Sequence, residues 1–577
     1  MSGIRYKRND FMKIEKSPSI HTLLLVGALI TALAMRLIRL GVWPLAHMEA
    51  EVALQALAIA RSTTTRFGAH MTTVGLAGLD FYILTAGNFL ARFWPGLIGA
   101  LIVFVPFLFR DRIGRWPASL LSMVLAITPE MVGLSRIIGS PMNAFVFLLL
   151  GLGFLFNRKS ILGGIAFALG LMSGPGFWFG GLILGISWVI SDVLFEVSNV
   201  FKLPKMQESR ITWSRFGISF GLTLLIVGSG FFLAPAGLSG ILAGLVDFVR
   251  GFFVFEQTPF VVLPLALVAY SAGAFIFGLW GGLRGVLLRN KLDMFLFVLG
   301  GLGLLFGFIY PDSTPADLIW ATLPFWVLSA RVVFFAWRKP DQSRLVVILT
   351  AVLIIVVFAF MMLVLRSVIT PGLSQEQQLN NFIALLGGMV FLVAIVLLVS
   401  FGWSQDVAMP GLLIGIGIVF FIATMSVSVN STSLSSERSL ELWFPEEANL
   451  SPELMKQSID RIIGWNASGG TPVDIAVSDL DTPGMRWALQ GYDPVEYVPY
   501  LPPQSQPGIL ITDSQGTPEI SSTYRGQDLV WSREVLWEAM TPFQYLNWLI
   551  TREAPIQESR IIFWVRTDLM PDEQFTP

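Results

Sequence analysis

Cysteine is absent from the 577 residues, which removes disulfides, thiolate zinc sites and cysteine nucleophiles from consideration. Histidine is nearly absent. His21, His47 and His70 are the only three, so a multi-histidine metal centre is not expected, and a divalent cation would have to rest on carboxylates. Charge is scarce as well: 13% of residues are Asp, Glu, Lys or Arg, against about 25% in soluble domains. The deficit has a physical cause, since a charged side chain in hydrocarbon is expensive and spanning segments exclude it. The 38 basic and 39 acidic residues leave a net charge of −1, so no electrostatic footprint for nucleic acid exists.

What is abundant is apolar sequence, 54% of the chain. Apolar runs near 20–40, 91–110, 117–134, 141–156, 160–173, 175–194, 214–235, 259–283, 292–310, 315–336, 344–366, 380–401 and 410–430 read as spans. They predict a polytopic α-helical membrane protein with about 13 transmembrane helices. Arg5, Lys7, Arg8, Lys13 and Lys16 precede the first run, and Ala32-Leu33-Ala34 has the look of a cleavage site, which together give a signal-peptide layout. The run continues to Leu40, however, and so is read as an uncleaved first helix. Basic residues gather in the N-terminal segment 1–19, then at Arg110, Arg112 and Arg115, at Arg158 and Lys159, at Lys202, Lys205, Arg210 and Arg215, at Arg284, Arg289 and Lys291, and at Arg338, Lys339 and Arg344. All six groups fall on one side of the spans, which predicts that side to be cytoplasmic. The loop 41–80, the loop 236–258 and the C-terminus then lie outside the cytoplasmic membrane.

The spanning domain is read as 20–430. Beyond Ser431 the long apolar runs stop. Ser451-Pro452-Glu453 reads as a helix start. Val473–Val477, Gly508–Thr512 and Ile561–Val565 read as strands, with helices near 482–490 and 541–551. A small extracytoplasmic α/β domain over 431–577 follows.

The loop after the first helix carries the most informative stretch. Val52, Ala53, Ala56, Leu57 and Ala60 have helical spacing and predict an amphipathic helix along the outer membrane surface. Glu49 and Glu51 stand at its start, where acidic residues ordinarily complement the helix dipole. The surrounding pattern is Arg39-Leu40-Gly41, Trp43-Pro44-Leu45 and His47-Met48-Glu49-Ala50. It is followed by Ala91-Arg92-Phe93-Trp94-Pro95 with Gly99-Ala100, and by Ala126-Ile127-Thr128-Pro129 with Ser135-Arg136.

In order and spacing these motifs resemble the GT-C membrane glycosyltransferases that use polyprenyl-phosphate sugars. That group includes the protein O-mannosyltransferases and the lipid A aminoarabinose transferase. Within it, the tail patterns Trp487-Ala488-Leu489 and Phe563-Trp564-Val565-Arg566-Thr567-Asp568 resemble proteins grouped with a flippase-associated factor of surface glycosylation. The resemblance implies a GT-C-like fold, a polyprenyl-phosphate sugar donor and an extracytoplasmic acceptor, with membrane lipid and other membrane proteins as partners. It also departs from the pattern at two points. The family's catalytic aspartate falls at Met48, and the acid that follows its Ser-Arg pair falls near Pro141. A thioether neither accepts a proton nor binds a hard metal. Either Glu49 or Glu51 takes over, or the chain is a non-catalytic scaffold or assembly component.

Transfer from such a donor needs a carboxylate to take the acceptor proton and cations to neutralise the departing phosphate. Glu49 is the first candidate base and Glu51 the second; on a helix they diverge by about 200°. Arg136 and Arg92 are the candidate phosphate partners, against a plain reading as snorkelling residues, with Arg61 and Arg66 in the same loop. Asp80, Glu130, Asp247, Glu256, Asp312 and Asp317 are further outer acids whose simpler reading is capping. No cofactor is assigned, and a divalent metal is compatible with the chemistry. His47 and His70 read as surface residues rather than ligands. Asp479-Leu480-Asp481 has the form of a nucleotide-sugar motif, but Asp481 or Thr482 more simply caps a helix. Asn430 and Asn466 begin N-glycosylation patterns. A transporter is disfavoured, because neither inverted repeats nor mid-membrane charges stand out.

Overall fold

A computed structural model describes residues 19–570 apart from 63–67, 200–209, 233–234, 236–237, 239, 255–260, 339–343, 370–373, 433–440, 444–447, 450–451, 467–472, 503–504 and 515–522. The basic N-terminal residues, Arg66, Lys202, Lys205, Glu256, Lys339 and Ser451 lie outside the described residues.

The apolar runs are helices because a backbone in hydrocarbon must satisfy its polar groups within its own segment. α1 (Ile20–Leu37) is followed by α2 (His47–Ala60) and α3 (Met71–Ile83), which form the first long loop. α4 (Asn88–Ala100) runs on through a 3-10 turn into α5 (Phe104–Leu108), and α6 (Arg110–Ile113) turns the chain. α7 (Arg115–Ile127) meets α8 (Pro129–Ser135) at 55°, because Pro129 has no N–H to continue the ladder. Then come α9 (Met142–Phe156), α10 (Ser160–Leu171), α11 (Gly176–Phe195), α12 (Arg210–Gly228) and α13 (Gly240–Arg250). α14 (Val262–Leu287) breaks at Ser271, and α15 (Lys291–Ile309), α16 (Ile319–Arg338), α17 (Arg344–Ile369), α18 (Gln375–Gly402) and α19 (Gln405–Ser431) complete the bundle.

Each of the thirteen expected runs coincides with one of these helices. By length and composition, nine helical stretches among the described residues can cross a membrane, or ten with the bent α7–α8 pair. The other three runs, α9, α10 and Trp213–Gly228, are shorter apolar helices. α10 has 12 residues and α9 has 15. At 1.5 Å per residue they reach only about 18 to 23 Å, short of the ~30 Å hydrocarbon core. Hydropathy does not distinguish such helices from spans: most of α9 is buried in protein, whereas α10 exposes Ile161 and Leu162. The protein is a multi-pass membrane protein, and its lipid-facing surface is plain in exposed Leu363, Leu398 and Phe401.

Small residues let the helices approach closely, as expected where burial from water cannot drive association. A side chain at Gly180 of α11 would meet the Trp320 ring of α16, and one at Gly278 of α14 would meet Phe325. At the end of the bundle that carries the basic loops, Arg331 of α16 bonds Asp293 of α15 at 2.6 Å and the Ile113 carbonyl at 3.0 Å.

Beyond α19 lies a six-stranded sheet with α20 (Pro452–Asn466), α21 (Pro483–Ala488) and α22 (Pro542–Thr551). Its strands are β1 (Ala448–Asn449), β2 (Ile475–Ser478), β3 (Val495–Val498), β4 (Ile509–Asp513), β5 (Tyr524–Val535) and β6 (Ile556–Arg566), in the order β1-β5-β6-β4-β2-β3. β2 is parallel to both β3 and β4, and the other pairs are antiparallel. Ile475, Val477, Ile509, Ile511, Phe563 and Val565 form its core with α20 and α21. This sheet domain docks on the end of the bundle that bears α2 and α3. Trp487 of α21 donates from Nε1 to Asn88 at 2.9 Å and packs against Phe81.

Gly180→Val is expected to lower the unfolding temperature in detergent by overpacking against Trp320, at a cost of ~1–3 kcal/mol. Gly181→Ala, where nothing lies within 4 Å of the added carbon, should leave it unchanged. Differential scanning fluorimetry of the two variants checks this.

Candidate functional site

α2 starts at the Ala46 backbone, and Glu49 stands three positions in, where its carboxylate turns back to accept the Ala46 N–H at 3.1 Å. Burial would make this carboxylate costly without a partner. Arg92, on α4, supplies one. Its Nε donates to Glu49 Oε1 at 2.8 Å and an Nη donates to Oε2 at 2.5 Å, the bidentate geometry in which arginine–carboxylate pairs are strongest. Both side chains are almost completely buried. The remaining guanidinium N–H groups donate to the carbonyls of Trp43 at 2.7 Å, Pro44 at 2.9 Å and Leu40 at 3.4 Å. The Ile138 N–H adds a further bond to Glu49 Oε1 at 3.3 Å. Glu49 and Arg92, expected in separate roles, therefore form one ion pair that ties the α1–α2 turn to α4 and to the chain after α8.

Glu51 is exposed, whereas Glu49 is buried. Arg136 follows α8 and donates to the carbonyls of Met35, Arg36 and Ile38 at 2.9–3.1 Å. It thus satisfies carbonyls that the end of α1 leaves without helical partners. Burial first, and then the charges of Arg92 and Arg39, push Arg136 down to about 10, still protonated at neutral pH. Arg36 is fully buried one turn below and donates to Ser135 Oγ at 3.1 Å and to the Ala126 carbonyl at 3.1 Å. Arg36 is not among the candidate residues read from the sequence, although it opens the stretch Arg36-Leu37 to Leu40-Gly41 at the end of the first helix. At one end of the bundle, then, Arg36, Arg39, Arg92 and Arg136 gather around a single acid of the knot, Glu49. The excess of positive charge favours an anion there.

α2 does not lie free along a membrane surface. Val52, Ala53, Ala56 and Leu57 are buried, and the helix is packed between α3 and the sheet domain. The apolar face is covered by protein, a pattern that sequence cannot separate from burial in lipid. His47 Nδ1 accepts the Gly484 N–H at 3.3 Å, and Arg61 donates to the Gln490 carbonyl at 3.2 Å. His70 is half-buried with its ring against Gly174, and desolvation there pushes its imidazolium below the usual range. The two histidines face different neighbours, and neither is a plain surface residue.

Among the other acids, Asp80 accepts from Trp94 Nε1 at 2.8 Å, Glu130 accepts from Ser271 where α14 breaks, and Asp317 caps its own turn at Thr314. Asp312 lies beside Gly251 next to Tyr310, whose hydroxyl donates to the Phe248 carbonyl at 2.9 Å. In the sheet domain, Thr482 caps α21 through the Met485 N–H, and Asp481 pairs with Arg486 at 2.5 Å. That hydrogen bond holds Asp481 below the ordinary carboxylate range. Asn430 lies inside α19, and the Asn466 amide donates to the carbonyls of Ile462 and Leu569, both at 2.9 Å.

A second buried knot had no sequence signal. Glu441 accepts from Tyr270 of α14 at 2.6 Å and lies 3.8 Å from Arg552 of α22. Leu442 and Trp443 are buried beside it, with the Trp443 ring 4.0 Å from that of Tyr270. Gly133 of α8 makes room for the indole. Among the described residues, no three His, Asp or Glu side chains come together as a metal site. Arg92 and backbone N–H groups take up the Glu49 oxygens, so this donor set does not fit a divalent cation.

No family model matches the chain, and no curated protein matches it in sequence. Solved structures do. ArnT from Cupriavidus metallidurans, bound to undecaprenyl phosphate, superposes with a TM-score of 0.51 at 13% identity, over 95% of this chain and 98% of that one. The fold is GT-C. ArnT in the apo state gives a TM-score of 0.48 at 14% identity, over 96% of this chain and 100% of that one. The oligosaccharyltransferase of Archaeoglobus fulgidus gives 0.39 at 12% identity, over 83% and 63%. The GT-C neighbour spans the sheet domain as well as the bundle, since the alignment covers nearly all of both chains.

Trp487→Ala is expected to loosen the sheet domain from α2 and α3 by ~3–5 kcal/mol, the usual cost of truncating a buried tryptophan. Limited proteolysis in detergent should then cut between bundle and sheet faster than in the parent. Unchanged cleavage would mean that the other contacts, among them His47–Gly484, Arg61–Gln490 and Glu441–Arg552, hold the domain without Trp487.

Proposed function

We propose that the protein is a membrane glycosyltransferase that moves a sugar from a polyprenyl-phosphate carrier to an acceptor outside the cytoplasmic membrane. The observation that carries this reading is the local cluster of Arg36, Arg39, Arg92 and Arg136 where α1, α4 and α8 meet, with Glu49 as the acid bonded within it. A departing phosphate needs such a charge surplus, and a donor embedded in lipid needs it at a membrane end. Undecaprenyl phosphate is the molecule bound by the ArnT structure that shares the fold, and the proposal brings that ligand class to this chain.

In this reading the arginines act through their fields. Arg39 is exposed and nearest to solvent, with Arg136 and Arg92 behind it. Glu49 is a positioning residue, because both of its oxygens are engaged in holding Arg92. Glu51 is the proton acceptor: it stands exposed on the same helix and can take the acceptor hydroxyl proton as the hydroxyl attacks the anomeric carbon. The bond to the phosphate oxygen then breaks, and polyprenyl phosphate leaves as the anion. Met48 stands where the family places its aspartate, so the acid supply rests on Glu51. No step is routed through a metal.

One observation favours a second reading, a non-catalytic GT-C scaffold in an envelope-glycan assembly. The hydrogen bonds of Arg92 and Arg136 go to protein groups, and Glu49 is engaged by Arg92. The test is release of polyprenyl phosphate from a panel of polyprenyl-phosphate hexoses by the detergent-purified protein, with candidate acceptors present. Release that falls at least about 100-fold in Glu51→Gln, the lower range for loss of a general base, supports transfer with Glu51 as base. Equal release from both proteins keeps the enzyme and removes Glu51 from the site. No release from any donor, by a protein that melts cooperatively, supports the scaffold.

A further inference from the structure

The end of the bundle opposite the sheet domain contains an unassigned cavity. It occupies about 410 Å³ between α5, α6, α7, α9, α11, α15 and α16, within the ~300–1,000 Å³ range of ligand sites. Its wall is apolar at every lining position but one. Leu121, Phe145, Phe295 and Leu323 are buried and form its interior. Leu184, Gly185 and Trp188 of α11 and Leu152 and Phe156 of α9 are more exposed, and they mark where it opens. The single charge is Arg112, whose guanidinium lies 4.5 Å from the centre of the Phe156 ring. The loops at the same end of the bundle also carry Arg110, Arg115, Arg158, Lys159, Arg284, Arg289 and Lys291. The described acids at this end are fewer, and four are paired or bonded: Asp293 to Arg331, Glu196 to Lys291, Asp192 to the Ser198 N–H, and the exposed Asp111 to Arg110 at 3.8 Å, next to Arg112.

An apolar slot open toward lipid, with a cation at its membrane-surface rim, has the chemistry of one lipid molecule. We propose that the cavity holds an acyl chain of an anionic phospholipid from the leaflet on the basic side, with the lipid phosphate at Arg112. The chain fills volume that side chains leave empty, and the phosphate meets a surface where basic residues outnumber acids. This site lies at the other end of the bundle from the arginine knot. It stands independently of any sugar transfer.

The test uses the full-length protein and native mass spectrometry after stepwise delipidation in detergent. Phosphatidylglycerol is then titrated back, with phosphatidylcholine and polyprenyl phosphate as comparison arms. The parent is expected to retain one phosphatidylglycerol and to bind phosphatidylcholine about fivefold more weakly, the worth of one basic contact near a charged headgroup. Arg112→Gln should lose that difference. Gly185→Trp, whose Cβ meets nothing within 4 Å, is expected to place its indole in the opening and to abolish retention. Gly181→Trp, on the same helix but outside the cavity wall, should retain lipid like the parent, and equal unfolding temperatures identify folded variants. Retention by Gly185→Trp, failure of the parent to hold phosphatidylglycerol, or displacement of phosphatidylglycerol by equimolar polyprenyl phosphate would each overturn the proposal.

Discussion

Two charges removed from water, Glu49 and Arg92, set the geometry of the sheet-domain end of the bundle. Each alone would be intolerable there. Together they are stable only because the geometry is bidentate and the leftover groups meet backbone partners. The consequence spreads along the chain. Arg92 bonds the carbonyls of the turn between α1 and α2, Glu49 bonds the backbone at Ala46 and Ile138, and Arg136 satisfies the end of α1. Thus α1, α2, α4 and the segment after α8 are positioned by one polar knot, and the sheet domain docks on the α2 and α3 that it orients.

The same physics explains the contrast between the two ends of the molecule. Around the knot, protein groups satisfy protein charges, and what is left over is net positive field. At the opposite end, Arg331 and Asp293 close the floor of the bundle, while the space above is apolar and incompletely filled. The bundle between them is held by small residues that let the α11–α16 and α14–α16 pairs come close, because apolar contact with lipid competes with apolar contact between helices.

Much of the architecture was legible in the sequence, and the reasons for the rest are specific. Apolar runs located the helices because hydrocarbon excludes charge, but runs cannot tell a span from a short helix, whether buried in protein like α9 or partly exposed like α10. In the sheet domain, β2, β4 and the inner half of β6 were readable as continuous apolar runs. β5 was not, because its first half, Tyr524 to Asp528, is largely exposed and polar. β3 sits at the sheet edge and is similarly mixed. At the site, residue type and position singled out Glu49, Glu51, Arg92 and Arg136 individually. That Glu49 and Arg92 would meet, 43 residues apart, depends on tertiary packing that no local pattern encodes. The Tyr270–Glu441–Arg552 contact is longer-range still, and was invisible for the same reason.

The most direct measurement is a double-mutant cycle on Glu49 and Arg92, read as chaotrope unfolding free energy in detergent. Glu49→Gln and Arg92→Met, alone, each leave a buried charge without its partner, and each is expected to cost ~3–5 kcal/mol. The double variant should recover a large part, giving a coupling above about 1.5 kcal/mol. A coupling near zero, with the two single losses simply adding, would contradict the account, because the sheet-domain end of the bundle would then be held by something other than this pair.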